Sequence, residues 1–147
     1  MPGRARPQRR EDAIHRLETD PNIWVATSSA EGQPHLVPLS LAWDGTRIVL
    51  ATPTDTLTVK NLSSNGSARL ALDSTVDVVI IDATAEVLDL SAADETMVHG
   101  YVERVGWDPR LERGEWSLLV LAPTRIQAWQ SVGEIERRTL MLDGAWT

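Results

Sequence analysis

The close spacing of apolar segments between residues 23 and 52 is the feature that most constrains the fold of this chain. Three strands are predicted there, over residues 23–28, 35–43 and 47–52, with only a few residues between them. Asp44-Gly45, between the second and third strands, is a hairpin signal because both residues tolerate the positive φ of a tight turn. A parallel pair would need a crossover of about a dozen residues or more. The three strands are therefore predicted to pair antiparallel.

The rest of the chain continues this mainly β pattern. Strands are predicted over residues 68–73, 76–88, 115–121 and 125–130, with a break at Pro123 between the last two. Helices are predicted over residues 9–19 and 91–105, the second with Ser91 as its N-cap. Many short strands with hairpin signals and few helices favour a closed or half-closed antiparallel barrel.

Length and composition predict one domain. The chain has 147 residues, of which 42% are hydrophobic, enough for one core, and this domain is expected to span residues 11–147. Cysteine is absent, which excludes disulfides, thiolate metal sites and a catalytic thiol. No apolar run reaches the length of a membrane span, so a cytoplasmic protein without membrane contact is expected.

Charge is unevenly distributed along the chain. The formal net charge is −7, yet the first ten residues contain four arginines and no acid. An acidic body argues against nucleic-acid binding, which depends on cations on one face. Residues 1–10 are predicted to be a disordered, solvated basic tail.

The segment between the third and fourth predicted strands has the composition of a phosphate site. It is dense in hydroxyls and contains Lys60, the only lysine of the chain. Hydroxyls, free N–H groups at a helix start and a cation are what a phosphate monoester requires. The candidate phosphate ligands are Thr52, Thr54, Thr58, Lys60 and Asn61. In the alternative interpretation, Thr54 or Thr56 is an ordinary N-cap and Lys60 is a solvated surface cation.

The order of these segments resembles a known family. The segments that carry the resemblance are residues 24–27, 32–39, 50–53, 58–62 and 68–72, together with Pro123, Ile126, Trp129, Gln130 and Arg137 near the end. They are similar to the pyridoxamine 5′-phosphate oxidase-like, FMN-binding split-barrel superfamily. The resemblance implies a six-stranded antiparallel split β-barrel. It also implies a homodimer with two cofactor sites at the subunit interface, each built from both chains.

The resemblance also assigns candidate cofactor contacts. Backbone groups of Val37, Pro38, Leu39 and Ser40 are expected to reach the polar edge of the flavin ring system. Gln127 and Trp129 alternate on the last predicted strand, and Trp129 is expected to approach the cofactor of the other subunit; a core or interface indole is the alternative.

The main phosphate cation is left open. The chain keeps Thr58-x-Lys60 but continues directly with Asn61, a shorter spacing than family members commonly have, so Arg69 on the next strand is a second candidate. Arg137 and Arg138 match the family's terminal arginine loosely, and pairing with Glu134 or Glu136 is an equal alternative.

These features favour an FMN-binding oxidoreductase that transfers hydride to or from a small molecule. A deazaflavin (coenzyme F-420) reductase of the same fold is the first alternative, although its acidic tail needs a basic groove. A non-catalytic flavin-binding dimer, or a barrel without cofactor, is the alternative from another class. Oxidation of pyridoxamine phosphate is disfavoured because it needs a second phosphate site with several cations. No catalytic side chain is assigned, His35 is expected to be structural, and no metal-ligand spacing is present.

Overall fold

The computed structural model describes residues 2–147 as a mainly β protein with a curled antiparallel sheet, a half-barrel, and a few short helices. The strands are β1 (Asn22–Ser28), β2 (Pro34–Ser40), β3 (Ala42–Trp43), β4 (Ile48–Pro53), β5 (Ser67–Ala71), β6 (Val78–Asp89), β7 (Trp116–Trp129), β8 (Thr139–Leu142) and β9 (Ala145–Trp146). The α-helices are α1 (Arg6–Thr19), α2 (Leu57–Asn65), α3 (Glu95–Val105) and α4 (Val132–Ile135).

The strands follow the order β2-β1-β5-β6-β7-β4-β3, with β8 on β7 and β9 on β8, and every pair is antiparallel. The predicted antiparallel pairing of the first strands is confirmed. Nine strands are found among residues 2–147, whereas six were expected. The difference arises partly because the predicted strand 35–43 is interrupted at Leu41, and partly because two short strands follow β7.

Pro123 does not end a strand, contrary to the prediction from sequence. Instead β7 runs through it as one strand of 14 residues. The register of β6 against β7 shifts between Asp82 and Ala83, and the hydroxyl of Thr124 donates to the carbonyl oxygen of Asp82 at 3.2 Å. A bulge of this kind leaves one residue outside the ladder, which allows a residue without an N–H to lie beside it.

Two hydrophobic clusters flank the sheet. The larger one fills the half-barrel and receives Ala13 and Leu17 from α1. The smaller one lies under α3, which contributes Val98 and Tyr101. The predicted second helix is shorter than expected, since a 3₁₀ turn covers Leu90–Ala92 and Asp94, not Ser91, caps α3. No helix within the described residues combines the length and apolar character of a membrane span.

The basic N-terminal segment is ordered, which corrects the expectation of a disordered tail over residues 1–10; only Met1 lies outside the described residues. The helix α1 begins at Arg6, with the side chain of Arg6 donating to the carbonyl of Thr139 at 2.7 Å. Arg9 is buried and donates to the carbonyl of Arg137 at 2.6 Å. These acceptors lie more than 120 residues away in the chain, so local composition could not reveal them.

Arg4 makes three hydrogen bonds to Glu134, more than any other pair of residues in this N-terminal segment makes. The Arg4 guanidinium donates to both carboxylate oxygens of Glu134, at 2.7 and 2.9 Å, and the Arg4 backbone N–H donates at 2.7 Å. The N–H of Gln130 adds a fourth bond at 2.8 Å. Glu134 is only 2% exposed, and a Cβ at Gly3 would overlap its Cγ, so the carboxylate is closely enclosed. Donation from Arg4 lowers the pKa of Glu134 to about 2.

The low pKa of Glu134 makes the stability of the fold depend on pH in the acid range. Because the folded pKa lies below the ordinary value of 4.5, the stabilisation is complete above that value and is lost as pH falls toward 2. Glu134→Gln should therefore lower the free energy of unfolding at pH 7, by up to roughly 3 kcal/mol, and flatten its decline below pH 4.5. Denaturant unfolding across this pH range measures both effects.

Glu31→Gln, at an exposed position in the turn between β1 and β2, is the matched control and should retain the wild-type pH profile. A Glu134→Gln profile parallel to that of the wild type would show that Arg4 and Glu134 do not stabilise the fold.

Candidate functional site

The candidate site is a gap in the sheet between β2 and β4. Among the described residues, β2 pairs only with β1, whereas β4 pairs with β7 and β3. In the pairing of β3 with β4, Ala42 lies opposite Val49. If the same register continued toward the N-terminus of β3, β2 would lie alongside the C-terminal end of β4. Instead the two strands separate around a cavity of about 500 Å³. The strand residues that line it are Asn22, Ile23 and Trp24 of β1, Pro38, Leu39 and Ser40 of β2, Ala51, Thr52 and Pro53 of β4, and Trp116 of β7.

The gap begins where the chain turns at Leu41. The side chain of Leu41 is fully buried, and its N–H donates to the carbonyl of Pro21 at 2.9 Å instead of to β4. Pro38, three residues before Leu41, has no N–H to offer to a neighbouring strand. Both strands therefore present unpaired backbone groups to the cavity, and such groups bind polar ligands readily.

Aromatic side chains form the other wall of the cavity. Trp107 and Trp116 contact each other edge to face, with ring centroids 5.1 Å apart. Both indole N–H groups are already bonded, to Glu112 Oε1 at 2.8 Å and to the carbonyl of Arg113 at 3.1 Å. The two rings therefore offer mainly apolar surface, and an aromatic wall of this kind suits a flat ligand.

Tyr101 closes the bottom of the cavity from α3. It is 2% exposed, and burial raises the pKa of its phenol to about 12, although a hydrogen bond from the Ala51 backbone acts in the opposite direction. The phenol is therefore neutral at pH 7. Asp73, at the rim, is the one charged residue among those lining the cavity, and neither lysine nor arginine lines it. This interior suits an uncharged ring better than a phosphate.

The predicted phosphate segment forms the start of α2. The Oγ1 of Thr56 accepts from the N–H of Val59 at 3.3 Å, so Thr56 is the N-cap, and Gly66 ends the helix with φ of 68°. Lys60 is exposed on this helix. Thr54 bonds through its hydroxyl to the hydroxyl of Ser117 at 2.8 Å.

Thr58 and Asn61 face the interior rather than solvent. They are 2% and 4% exposed, and the amide Nδ2 of Asn61 donates to Thr27 Oγ1 at 3.1 Å. The other predicted cation, Arg69, is paired with Asp82 through contacts of 2.6 and 3.1 Å. Lys60 is thus the more accessible of the two proposed phosphate cations.

The structure brings together only part of the predicted set. Pro38, Leu39, Ser40 and Thr52 line one cavity, while Val37 packs against the main core from the same strand. Gln127 and Trp129 lie at the far end of β7, half-buried, beside Arg125 and Arg138. The sequence analysis missed the aromatic wall, and the high tryptophan content was its only signal.

The geometry is that of a split barrel with a cleft between two strand edges. A family model for pyridoxamine 5′-phosphate oxidase matches residues 11–130, and the chain belongs to this family, as the sequence resemblance indicated. No curated protein matches the chain.

Solved structures share the fold at low sequence identity. An F420 reductase is 16% identical with a TM-score of 0.61, covering 75% of this chain and 92% of its own. A pyridoxamine 5′-phosphate oxidase-related, FMN-binding protein from Nostoc punctiforme is 13% identical with a TM-score of 0.59, covering 88% and 84%. HutZ, the heme storage protein from Vibrio cholerae, is 12% identical with a TM-score of 0.63, covering 80% and 92%. The fold alone therefore does not select a ligand.

Because Asn61 is buried and Lys60 is exposed, substitution of these neighbouring residues should have unequal effects on stability. Asn61→Ala removes a buried hydrogen bond and should lower the free energy of unfolding by about 1–3 kcal/mol. Lys60→Ala, on the solvent side of the same helix, should change it by less than about 0.5 kcal/mol. Urea unfolding of the two variants measures the difference, and equal losses would contradict this assignment of the two faces of α2.

Proposed function

We propose that this protein is an FMN-binding oxidoreductase that transfers hydride to or from a small molecule. The observation that carries the proposal is the cavity of about 500 Å³ between the unpaired edges of β2 and β4. Its volume lies in the range of small-molecule and cofactor sites. Family membership supports a flavin as the ligand.

The chemistry of the donor set fits FMN in two parts. The aromatic and apolar cavity would accept the uncharged ring, with backbone groups of Pro38 to Ser40 and the hydroxyl of Thr52 as polar partners. The phosphate would be held outside the cavity, by the exposed Lys60 of α2 and the half-buried Thr54 that precedes this helix. The N–H groups of Leu57 and Thr58 lie in the first helical turn, which lacks intrahelical acceptors and favours anions.

In this mechanism FMN supplies the hydride donor or acceptor, and the protein orients and shields it. The wall formed by Trp107 and Trp116 excludes water from one side of the cavity. Tyr101 is a neutral phenol and therefore a hydrogen-bond donor at pH 7, while Asp73 is too exposed to act as a buried base. We therefore assign orientation of the ligand and exclusion of water to these side chains, and we assign proton transfer to none of them.

A homodimer is part of the proposal because the outer face of the sheet near the cavity is apolar. Leu36 is 59% exposed and Trp24 is 41% exposed. The register pairs Trp24 with Pro38 and Ala26 with Leu36, so these four residues form one continuous patch on β1 and β2. Exposed apolar patches of this kind mark interfaces. Trp24 and Pro38 also line the cavity, which would place the cofactor site beside the interface.

The deazaflavin coenzyme F-420 is the second candidate cofactor. The structural similarity to an F420 reductase supports it. So do Arg125 and Arg138, two neighbouring arginines without a salt bridge to any Asp or Glu among residues 2–147, because the acidic tail of F-420 needs cations. Heme has less support, because no histidine lines the cavity within the part of the chain that the structure describes. If the protein were instead a non-catalytic flavin-binding dimer, it would show the same flavin absorption spectrum as the oxidoreductase but would not turn over a substrate.

The proposed function is tested on the protein purified under native conditions. Flavin absorption bands, and FMN identified by mass spectrometry in the released ligand, are the expected results. Titration of the ligand-free protein with FMN, riboflavin and F-420 then ranks the cofactors. Reduction by a nicotinamide coenzyme, followed by reoxidation with a quinone, separates an oxidoreductase from a passive carrier. Binding of none of the three cofactors would overturn the proposal.

Lys60→Ala should weaken FMN binding without weakening riboflavin binding. Loss of a charge-assisted hydrogen bond to the phosphate costs about 1.5–3 kcal/mol, and riboflavin has no phosphate to lose. Titration by flavin fluorescence measures both affinities. Arg110→Ala, which removes an exposed cation paired with Asp108, is the control and should change neither. Equal FMN affinity in Lys60→Ala and wild type would move the phosphate role to backbone donors or Arg69.

The protein should sediment as a species of twice the chain mass of 16.2 kDa at micromolar concentration. Leu36→Lys places a charge in the middle of the apolar patch and should shift the equilibrium toward monomer. Leu111→Lys, at a position 84% exposed and outside the patch, is the matched control. A single species of one chain mass in the wild type would contradict the dimer.

A further inference from the structure

Two arginine side chains converge on one amide near the end of β7. When the side-chain amide of Gln127 is oriented with its oxygen toward the arginines, this oxygen accepts hydrogen bonds from Arg125 Nη2 at 3.1 Å and from Arg138 Nε at 3.3 Å. The opposite orientation would point the amide N–H groups at other donors, so the two guanidinium groups fix the amide. The guanidinium carbon of Arg138 also lies 5.9 Å from the ring centre of Trp129. We call Arg125, Gln127 and Arg138 the arginine pair site.

The two positive charges have no carboxylate partner among residues 2–147. Neither Arg125 nor Arg138 lies within 4.0 Å of an Asp or Glu oxygen. Asp82 stands directly opposite Arg125 in the β6–β7 register, yet both its oxygens accept from Arg69. The Nε of Arg125 is buried and has no hydrogen-bond partner. An arginine pair left without a counter-ion is unusual in a chain whose net charge is −7.

The arginine pair is held in place by the surrounding backbone. The N–H of Ala128 donates to the carbonyl of Arg138 at 2.9 Å, and the Arg138 Nη1 donates to the carbonyl of Ile135 at 2.6 Å. On the other side, the Arg4 and Glu134 contact fixes the turn that leads to Arg138. The two guanidinium groups therefore stay close despite their repulsion. An anion between them would relieve that repulsion and meet a preformed site.

We propose that Arg125, Gln127 and Arg138 form a binding subsite for the phosphate or carboxylate group of a small-molecule ligand. Arg125 and Arg138 are half-buried residues, so both side chains retain some exposure to solvent, and planar guanidinium groups bind such anions through paired N–H donors. The ring of Trp129 adjoins the site and can contact an apolar part of the same ligand. The inference rests on the proposed function only for the identity of that ligand.

Inorganic phosphate is the first probe, because it tests the anion site without any cofactor. Isothermal titration at constant ionic strength should detect phosphate binding to the wild type. Arg125→Met combined with Arg138→Met should weaken it by about tenfold or more, as expected for the loss of two charge-assisted contacts. Arg110→Met, an exposed arginine paired with Asp108, should leave it unchanged. Equal phosphate affinity in the double variant and the wild type would overturn the proposal.

Gln127→Glu tests the same site with a variant that keeps both arginines. Its carboxylate would lie between the two guanidinium groups and act as an internal counter-ion, so this variant should gain thermal stability and lose phosphate binding. Wild-type phosphate affinity in Gln127→Glu would also overturn the proposal, whether or not the double variant folds.

Flavin titrations identify the source of the anion. If the double variant loses FMN affinity but keeps riboflavin affinity, the site holds the cofactor phosphate; if it keeps both and loses only phosphate, the site serves a substrate. Phosphate binding that persists in a protein unable to bind any flavin would support the subsite while refuting the proposed function. A double variant that becomes monomeric while keeping phosphate affinity would show that the arginines meet a carboxylate of a second copy, against this proposal.

Discussion

The hydrogen bond from the Leu41 amide to the Pro21 carbonyl sets the geometry on which the candidate site depends. It draws the chain between β2 and β3 toward the end of α1 and away from β4. A strand that continued straight from β3 would pair with β4 along its length and close the sheet there. Because Leu41 is also fully buried, the turn is anchored on both its backbone and its side chain. The unpaired edges follow from that anchor, and with them the cavity.

The arginines of the N-terminal segment act as structural cations. Arg4, Arg6 and Arg9 each donate to an acceptor within residues 134–139, which run from α4 to the start of β8. Arg10 lies 4.8 Å from the ring centre of Trp146. Guanidinium groups suit this role because they satisfy carbonyl and carboxylate oxygens in several directions at once. The basic residues at one end of an acidic chain therefore have structural partners in the fold, namely one buried carboxylate and two backbone carbonyl groups close to it in sequence.

The sequence predicted what depends on local pattern. Alternation in β1 and the turn residues at Asp44 gave the first strands and their antiparallel pairing, although the loop runs over four residues rather than two. Two predictions were wrong: an unbroken strand over residues 35–43 and a strand break at Pro123. The observed interruption at Leu41 and the continuation of β7 through Pro123 each depend on a partner distant in the chain. Neither Pro21 nor Asp82 carries a local signal for that role.

Only those residues of the candidate site that lie on β2 and β4 could be predicted from the sequence. The segments that form β2 and β4 could be predicted because their order in the sequence resembles that of a known family. Trp107 and Trp116 lie at the two ends of an irregular connection, and no hydrophobic periodicity in the sequence predicts where such residues lie. In α2, Lys60 and Asn61 are adjacent in sequence, and a helix of nine residues does not show from sequence which of them faces the core. The cavity and the arginine pair therefore required the tertiary structure.

The long strand β7 contributes side chains to both hydrophobic clusters. Leu119 and Leu121 face the half-barrel, while Leu118 and Val120 face α3, so alternate residues of one strand belong to both layers. Neither layer can open without releasing the hydrogen bonds of that strand to β4 and β6. Amide protons along β7 should accordingly exchange with solvent only through global unfolding, whereas those at the free edge of β2 exchange through local fluctuations. The cleft thus lies between the free edge of β2 and β4, which is hydrogen-bonded to β7 along its whole length, so one wall can move while the other stays fixed.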